Sequence, residues 1–156
     1  DGKRIYPLHV DIGATKACQA RCVYCYGIFQ KFTDERIPKE VLIRLFSDAP
    51  KLGIKSLTLT GDGEPSLNPA VYDAVREGKK GGLDIGFATN GIKLNPEQIA
   101  VLLECCVWVR FNLSAMGKEG YKLIHGVDAW DRVEKNIINR RILTSKEQVY
   151  YDFWGY

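Results

Sequence analysis

Three of the five cysteines lie between positions 18 and 25, in the run Cys18-Gln19-Ala20-Arg21-Cys22-Val23-Tyr24-Cys25. Sulfurs this close in the chain do not make a usual disulfide framework, and their crowding points to metal in a reducing compartment. Thiolates suit soft iron, and one folded loop can supply three corners of a cubic four-iron, four-sulfur cluster. A fourth cysteine would normally complete the set, and none is nearby in the sequence. An iron without a protein ligand is a place where a small molecule can chelate, which is an enzymatic arrangement. The competing reading is zinc, because Cys22 and Cys25 form a Cys-x2-Cys hook. A zinc ribbon needs a second hook, however; Cys105-Cys106 has the wrong spacing, and His9 and His125 read as isolated. Those two adjacent cysteines precede the last clear strand and read as small core residues.

Two further segments carry polar chemistry. Gly61-Asp62-Gly63-Glu64-Pro65 follows a strand-like run. Glycines there let main chain approach a ligand, and a carboxylate can accept hydrogen bonds from an ammonium group; the plainer reading is a glycine-rich turn. In the run from Val107 to Ser114, strand alternation puts Arg110, Asn112 and Ser114 on one face, where polar groups inside a barrel need a reason. The plainer alternative is a wet strand face. Thr89-Asn90-Gly91 ends another strand-like run and alone is only a turn. His125, in Tyr121-Lys122-Leu123-Ile124-His125-Gly126, reads as a structural histidine after a helical turn.

The elements that must hold these residues alternate along the chain. Strands are expected at residues 8–12, 56–60, 84–88 and 107–113, with helices at 38–49, 69–79, 96–104 and 129–138 and a helical turn at 118–124. Asn68-Pro69 and Asn95-Pro96 repeat one helix-start signal, an Asn cap followed by a proline whose missing N–H costs nothing there. About four strand-helix units in this order describe an α/β chain with parallel strands and outer helices. A full (β/α) barrel needs about 250 residues, so the expectation is a partial barrel. Residues 1–139 read as this core and 140–156 as a tail of open placement. Within the tail, residues 148–154 are strand-like and aromatic, serving as a fifth strand, a docked tail or sequence across a gap.

Composition bounds the rest. The 156 residues are 46% apolar, enough for one core. A net charge of +3, from 22 basic and 19 acidic residues, is too small to indicate nucleic acid or an anionic membrane. No apolar run reaches membrane-spanning length, so a soluble, cytoplasmic protein is expected. The chain begins at Asp1 and not at methionine, and is expected to be a piece of a longer protein.

The Cys-x3-Cys-x2-Cys spacing, with Tyr24 before its last cysteine, resembles the signature of the radical S-adenosylmethionine (radical SAM) superfamily. That resemblance implies a partial barrel of the radical SAM type and a 4Fe-4S cluster on Cys18, Cys22 and Cys25, with S-adenosylmethionine chelating the open iron. Electron transfer from the cluster then cleaves a carbon-sulfur bond, and the resulting 5′-deoxyadenosyl radical abstracts hydrogen from a substrate. Gly61, Gly63 and Glu64 resemble the family's Gly-Gly-Glu-Pro segment, which holds the cofactor's amino group; Asp62 departs from it. Asn90 lies in a Thr-Asn-Gly segment of the family type. Tyr24, Asn112, Ser114 and Arg110 are the remaining cofactor-binding candidates, Asn112 and Ser114 towards the ribose and Arg110 nearer the carboxylate. The implied partner is a low-potential electron donor such as flavodoxin or ferredoxin. The substrate is not legible, with a lean towards a peptide or protein. The rival functions are an iron-sulfur electron-transfer or binding module that does not cleave the cofactor, and a zinc-stabilised interaction domain.

Overall fold

A computed structural model describes residues 5–143 and 149–152, with side chains described as far as Ile138 and at Tyr150. Among the described residues, five strands, β1 (His9–Ile12), β2 (Ser56–Leu59), β3 (Asp84–Thr89), β4 (Trp108–Asn112) and β5 (Val149–Asp152), form one sheet in chain order, every neighbouring pair parallel. Parallel neighbours require crossovers. These run through α2 (Lys39–Asp48), α3 (Ala70–Lys80), α4 (Pro96–Cys105) and α6 (Trp130–Leu143); α1 (Gly27–Gln30) and α5 (Lys118–His125) are short additions to the loops. An order that never reverses lacks the switch point of a doubly wound sheet and is the winding of a (β/α) barrel, here a partial one.

Strand alternation decides which face is which. Ile12, Leu57, Leu59, Ile85, Phe87, Val109 and Phe111 are buried and pack with Leu42 and Phe46 of α2, Val71 and Val75 of α3, and Ile99 and Leu102 of α4. Burying each such side chain is worth about 1.5–3 kcal/mol, so a one-residue slip that turned this set outward is strongly disfavoured. The opposite, concave face carries His9, Asp11, Ser56, Trp108, Arg110 and Asn112, all exposed or half-buried.

Both asparagine start signals act as expected. Asn95 and Gln98 form a reciprocal capping box at α4, at 2.8 and 3.0 Å. The Asn68 carbonyl accepts from Ala70 N (3.1 Å), and its amide donates to the carbonyls of Ala14 (2.9 Å) and Ile37 (3.0 Å), tying the loop after β1 to the approach of α2. The last helix runs beyond residue 138 to Leu143, because no glycine or proline stops it there. Of the alternatives for residues 148–154, Val149–Asp152 take the fifth-strand one, beside β4; residues 148, 153 and 154 lie outside the described residues, as does the polar break at 144–147. Cys105 and Cys106 are each 3% exposed within the core, at the sheet end away from the cysteine loop. No described helix is long and apolar enough to cross a membrane.

Candidate metal centre

The cysteine loop leaves the C-terminal end of β1 and is anchored at its base and its middle. At the base, Thr15 and Arg36 form an isolated antiparallel bridge. There Lys16 N and the Thr15 hydroxyl both donate to Glu35 O, at 3.0 and 2.8 Å, and Ile37 N donates to Ala14 O at 3.1 Å. In the middle, Arg21 N and Val23 N donate to the carbonyls of His125 (2.8 Å) and Ile124 (2.9 Å), so the end of α5 grips the main chain on both sides of Cys22. Cys25 N closes the turn on Cys22 O at 2.9 Å.

All three thiols are free and half-buried. Burial pushes the Cys22 thiol up to about 11, with the neighbouring charges of Cys18 and Cys25 adding to the rise and the Tyr24 hydroxyl opposing it. Burial raises Cys18 as well. Without metal the sulfurs of Cys18 and Cys22 therefore keep their protons, and a cationic centre that displaces those two protons relieves both burdens. Among the described residues, no three His, Cys, Asp or Glu side chains gather where they would hold one metal ion. The corners of a cubic cluster are separate irons, each with its own thiolate, and three thiolates from one loop suit three of them. The donor set fits the cluster.

Behind Cys18 stand the segments after β2 and β3. The Glu64 carboxylate is 3% exposed and turned into the protein. Its Oε1 accepts from the Thr89 hydroxyl (2.6 Å) and Ser66 N (3.1 Å), and its Oε2 from Asn90 N (2.7 Å). Burial raises its pKa while those bonds oppose the rise. Glu64 N in turn donates to Ala17 O at 2.8 Å, next to Cys18. Gly63 is bare because the cysteine loop leaves no room: an added Cβ would meet the carbonyls of Thr15 and Ala17, the latter at 2.5 Å. Gly61, at φ +111°, lies against Gly13 in the same way. The main-chain closeness anticipated for a ligand is thus used by the protein's own backbone. Asp62, the departure from the family segment, accepts the Tyr26 hydroxyl at 2.7 Å and joins this segment to the far end of the cysteine loop. Asn90 Oδ1 accepts from Gln19 Nε2 (2.8 Å) and Ile92 N (3.0 Å), and its Nδ2 lies 3.9 Å from Cys18 Sγ.

On the concave side, the Tyr24 hydroxyl reaches Asn112 Oδ1 (3.0 Å) and Ser114 Oγ (2.8 Å), bringing together three of the expected residues. Ser114 holds a left-handed φ of +50°, a strained conformation of the kind that persists where neighbours fix it. Arg110 lies on the same face of β4 as Asn112, opposite Ala88 and Tyr150 in the register.

His125 is structural, as its sequence position suggested, but it is not isolated. It is fully buried, stacks on Tyr121 (centroids 4.1 Å apart), and places Nδ1 3.1 Å from Cys22 Sγ and Nε2 2.7 Å from Leu113 O. A carbonyl only accepts, so Nε2 carries the ring proton and Nδ1 accepts the Cys22 S–H in the metal-free chain. Burial holds the His125 pKa below its ordinary value of 6.5. The unfolded chain therefore binds the extra proton first as pH falls, and this residue's contribution to stability, complete above about pH 6.5, is lost as pH drops towards the folded value. Urea unfolding of the cluster-free protein between about pH 7.5 and 5.5 is expected to show this loss, and His125→Phe to flatten it. An equal slope in both proteins would contradict the assignment.

A family model described as the radical SAM superfamily matches residues 12–143. The chain is 33% identical over 127 residues to a probable GTP 3′,8-cyclase of Saccharolobus solfataricus, covering 81% of this chain and 41% of that protein. It is 34% identical over 130 residues to a protein of the same description from Thermococcus kodakarensis, with the same coverage. The chain thus spans about two-fifths of these relatives' length. Among solved structures, native anSMEcpe with bound AdoMet superposes with a TM-score of 0.74 at 20% identity, over 94% of this chain and 43% of that one. Streptococcus suis SuiB bound to precursor peptide SuiA gives 0.79 at 17%, over 95% and 33%.

Proposed function

The chain belongs to the radical SAM superfamily, and from that premise we propose that the whole protein holds a 4Fe-4S cluster on Cys18, Cys22 and Cys25 and cleaves S-adenosylmethionine reductively. The observation that supports this most is the loop itself: three half-buried thiols, with the remaining two cysteines sealed in the core and unable to close the ligand set. Held by Cys18, Cys22 and Cys25, such a cluster would supply one electron for reductive cleavage of S-adenosylmethionine, and so the means of abstracting hydrogen from a substrate.

This chain's residues divide the remaining work. Tyr24, Asn112 and Ser114 present a linked set of oxygens on the concave face, suited to cofactor hydroxyls, with Arg110 below them for a carboxylate. Gly61, Gly63, Glu64 and Asn90 act through the cysteine loop, by fixing Ala17 and Cys18. The electron comes from a low-potential donor of the flavodoxin or ferredoxin kind. A cytoplasmic location belongs to the same reading, since unpaired thiols need reducing surroundings.

For the substrate, the relatives at 33 and 34% identity favour a guanine nucleotide over the peptide suggested by sequence alone; the peptide-bound neighbour, at 17%, shares the fold. The full-length protein, reconstituted anaerobically and given dithionite and S-adenosylmethionine, is expected to form 5′-deoxyadenosine faster with GTP than without, together with a cyclised product of GTP's mass. Formation indifferent to GTP would remove the nucleotide reading.

A further inference from the structure

Part of the cysteine loop lines a space that Tyr24, Asn112 and Ser114 do not. There a groove of about 340 Å³ opens beside Cys18. Its other walls come from segments that lead into outer helices: Thr33 to Arg36 before α2, Leu67 before α3 and Lys93 before α4. These segments follow β1, β2 and β3, so the groove opens at the C-terminal ends of the strands, and its lining includes none of Tyr24, Asn112 and Ser114.

The groove is basic where the protein as a whole is nearly balanced. Arg21, Arg36 and Lys93 line it against one carboxylate, Asp34. Arg36 and Lys93 are exposed, and the main chain of Arg36 is pinned by its bridge to Thr15. Arg21 is held differently: its guanidinium lies 4.6 Å from the centroid of Phe32 and donates to the carbonyls of Cys18 and Ala20, both at 2.7 Å. Two ring atoms of Phe32 lie 2.9 Å from where a Gly27 Cβ would stand, and Cys25 Sγ lies 3.3 Å from the same point. An acid that pairs with Arg21 thus stands one side chain from the main chain of a cluster ligand.

We propose that this groove is the docking surface for an acidic one-electron carrier protein, so that reduction is served beside Cys18 through residues other than Tyr24, Asn112 and Ser114. The proposal rests on the reading of Cys18, Cys22 and Cys25 as cluster ligands. Opposite charge steers such encounters and orients weak redox complexes, whose interfaces are small. With a flavodoxin the exchange balances simply: the flavin hydroquinone anion gives up one electron and becomes the neutral semiquinone, and the cluster gains that electron. No bond forms or breaks, and no proton moves.

The test uses the full-length protein, reconstituted anaerobically, and the hydroquinone of a bacterial flavodoxin, with stopped-flow absorbance following cluster reduction. Arg36→Glu combined with Lys93→Glu is expected to slow reduction by flavodoxin about tenfold or more at low salt, and to abolish the fall in rate that added salt produces in the wild type. Iron per chain and the rate with dithionite should stay at wild-type values. An unchanged flavodoxin rate would overturn the proposal. So would an equal loss with dithionite, which would make the groove part of the cluster's support. Inorganic triphosphate that binds the wild type and not the variant, with equal flavodoxin rates, would make it a small-anion subsite and also overturn the proposal. A wild type that takes up no iron would overturn the cluster reading, and docking with it, before any donor is added.

Discussion

Gly63→Ala is expected to cost the protein its iron as well as part of its stability, although position 63 touches no proposed ligand sulfur. The added methyl would meet the carbonyl oxygens of Thr15 and Ala17 and, at 2.8 Å, the carbonyl carbon of Lys16, all of them main chain. A flexible side chain could swing aside; this backbone cannot without moving Cys18, one residue beyond Ala17. Overpacking of this kind costs about 1–3 kcal/mol, and main-chain contact on three sides places the variant at the top of that range. Urea unfolding should show the lost stability, and iron bound after anaerobic reconstitution should fall below half the wild-type amount. Wild-type iron and stability would mean that the segment after β2 does not fix the cysteine loop.

Glu64→Ala separates two roles for the buried carboxylate. If it clamps the loops, its removal leaves the Ser66 and Asn90 N–H groups and the Thr89 hydroxyl without their acceptor. Each deserted buried donor costs about 1–3 kcal/mol, so a loss of several kcal/mol is expected, with poor iron uptake because Asn90 no longer holds its place beside Cys18. Glu64→Gln should fall between the two, since an amide can satisfy some of these donors but sets its own NH2 against another. If Glu64 instead binds the cofactor's amino group directly, as the family resemblance implies, the alanine variant would fold and load iron normally and lose only affinity for S-adenosylmethionine. Thermal unfolding with iron analysis distinguishes the outcomes.

What the sequence conveyed well was local. The cysteine spacing, the strand-helix alternation and the Asn-Pro starts each depend on neighbours a few residues away, and the polar face of β4 follows from a period of two. Contacts across long separations left little trace. Cys22 and His125 are 103 positions apart, and nothing near either one announces that the end of α5 folds back on the cysteine loop. The i, i+4 spacing of Tyr121 and His125 was a usable hint that the histidine is stacked on its own helix. Glu64 illustrates the other limit: its neighbours resemble a cofactor-binding segment, but the direction of its carboxylate is set by β3, which lies 20 and more residues further on. The segment at Val149–Asp152 has strand composition, yet its place beside β4 depends on a sheet edge that no local pattern records.

The measurement closest to the central claim is electron paramagnetic resonance of the reconstituted, dithionite-reduced full-length protein, recorded with and without S-adenosylmethionine. A three-cysteine site leaves one iron open, so a reduced-cluster signal that changes when the cofactor is added is the predicted result. A signal identical in both samples would contradict it and indicate a fully ligated electron-transfer cluster, and bound zinc with no cluster signal would contradict the iron assignment itself.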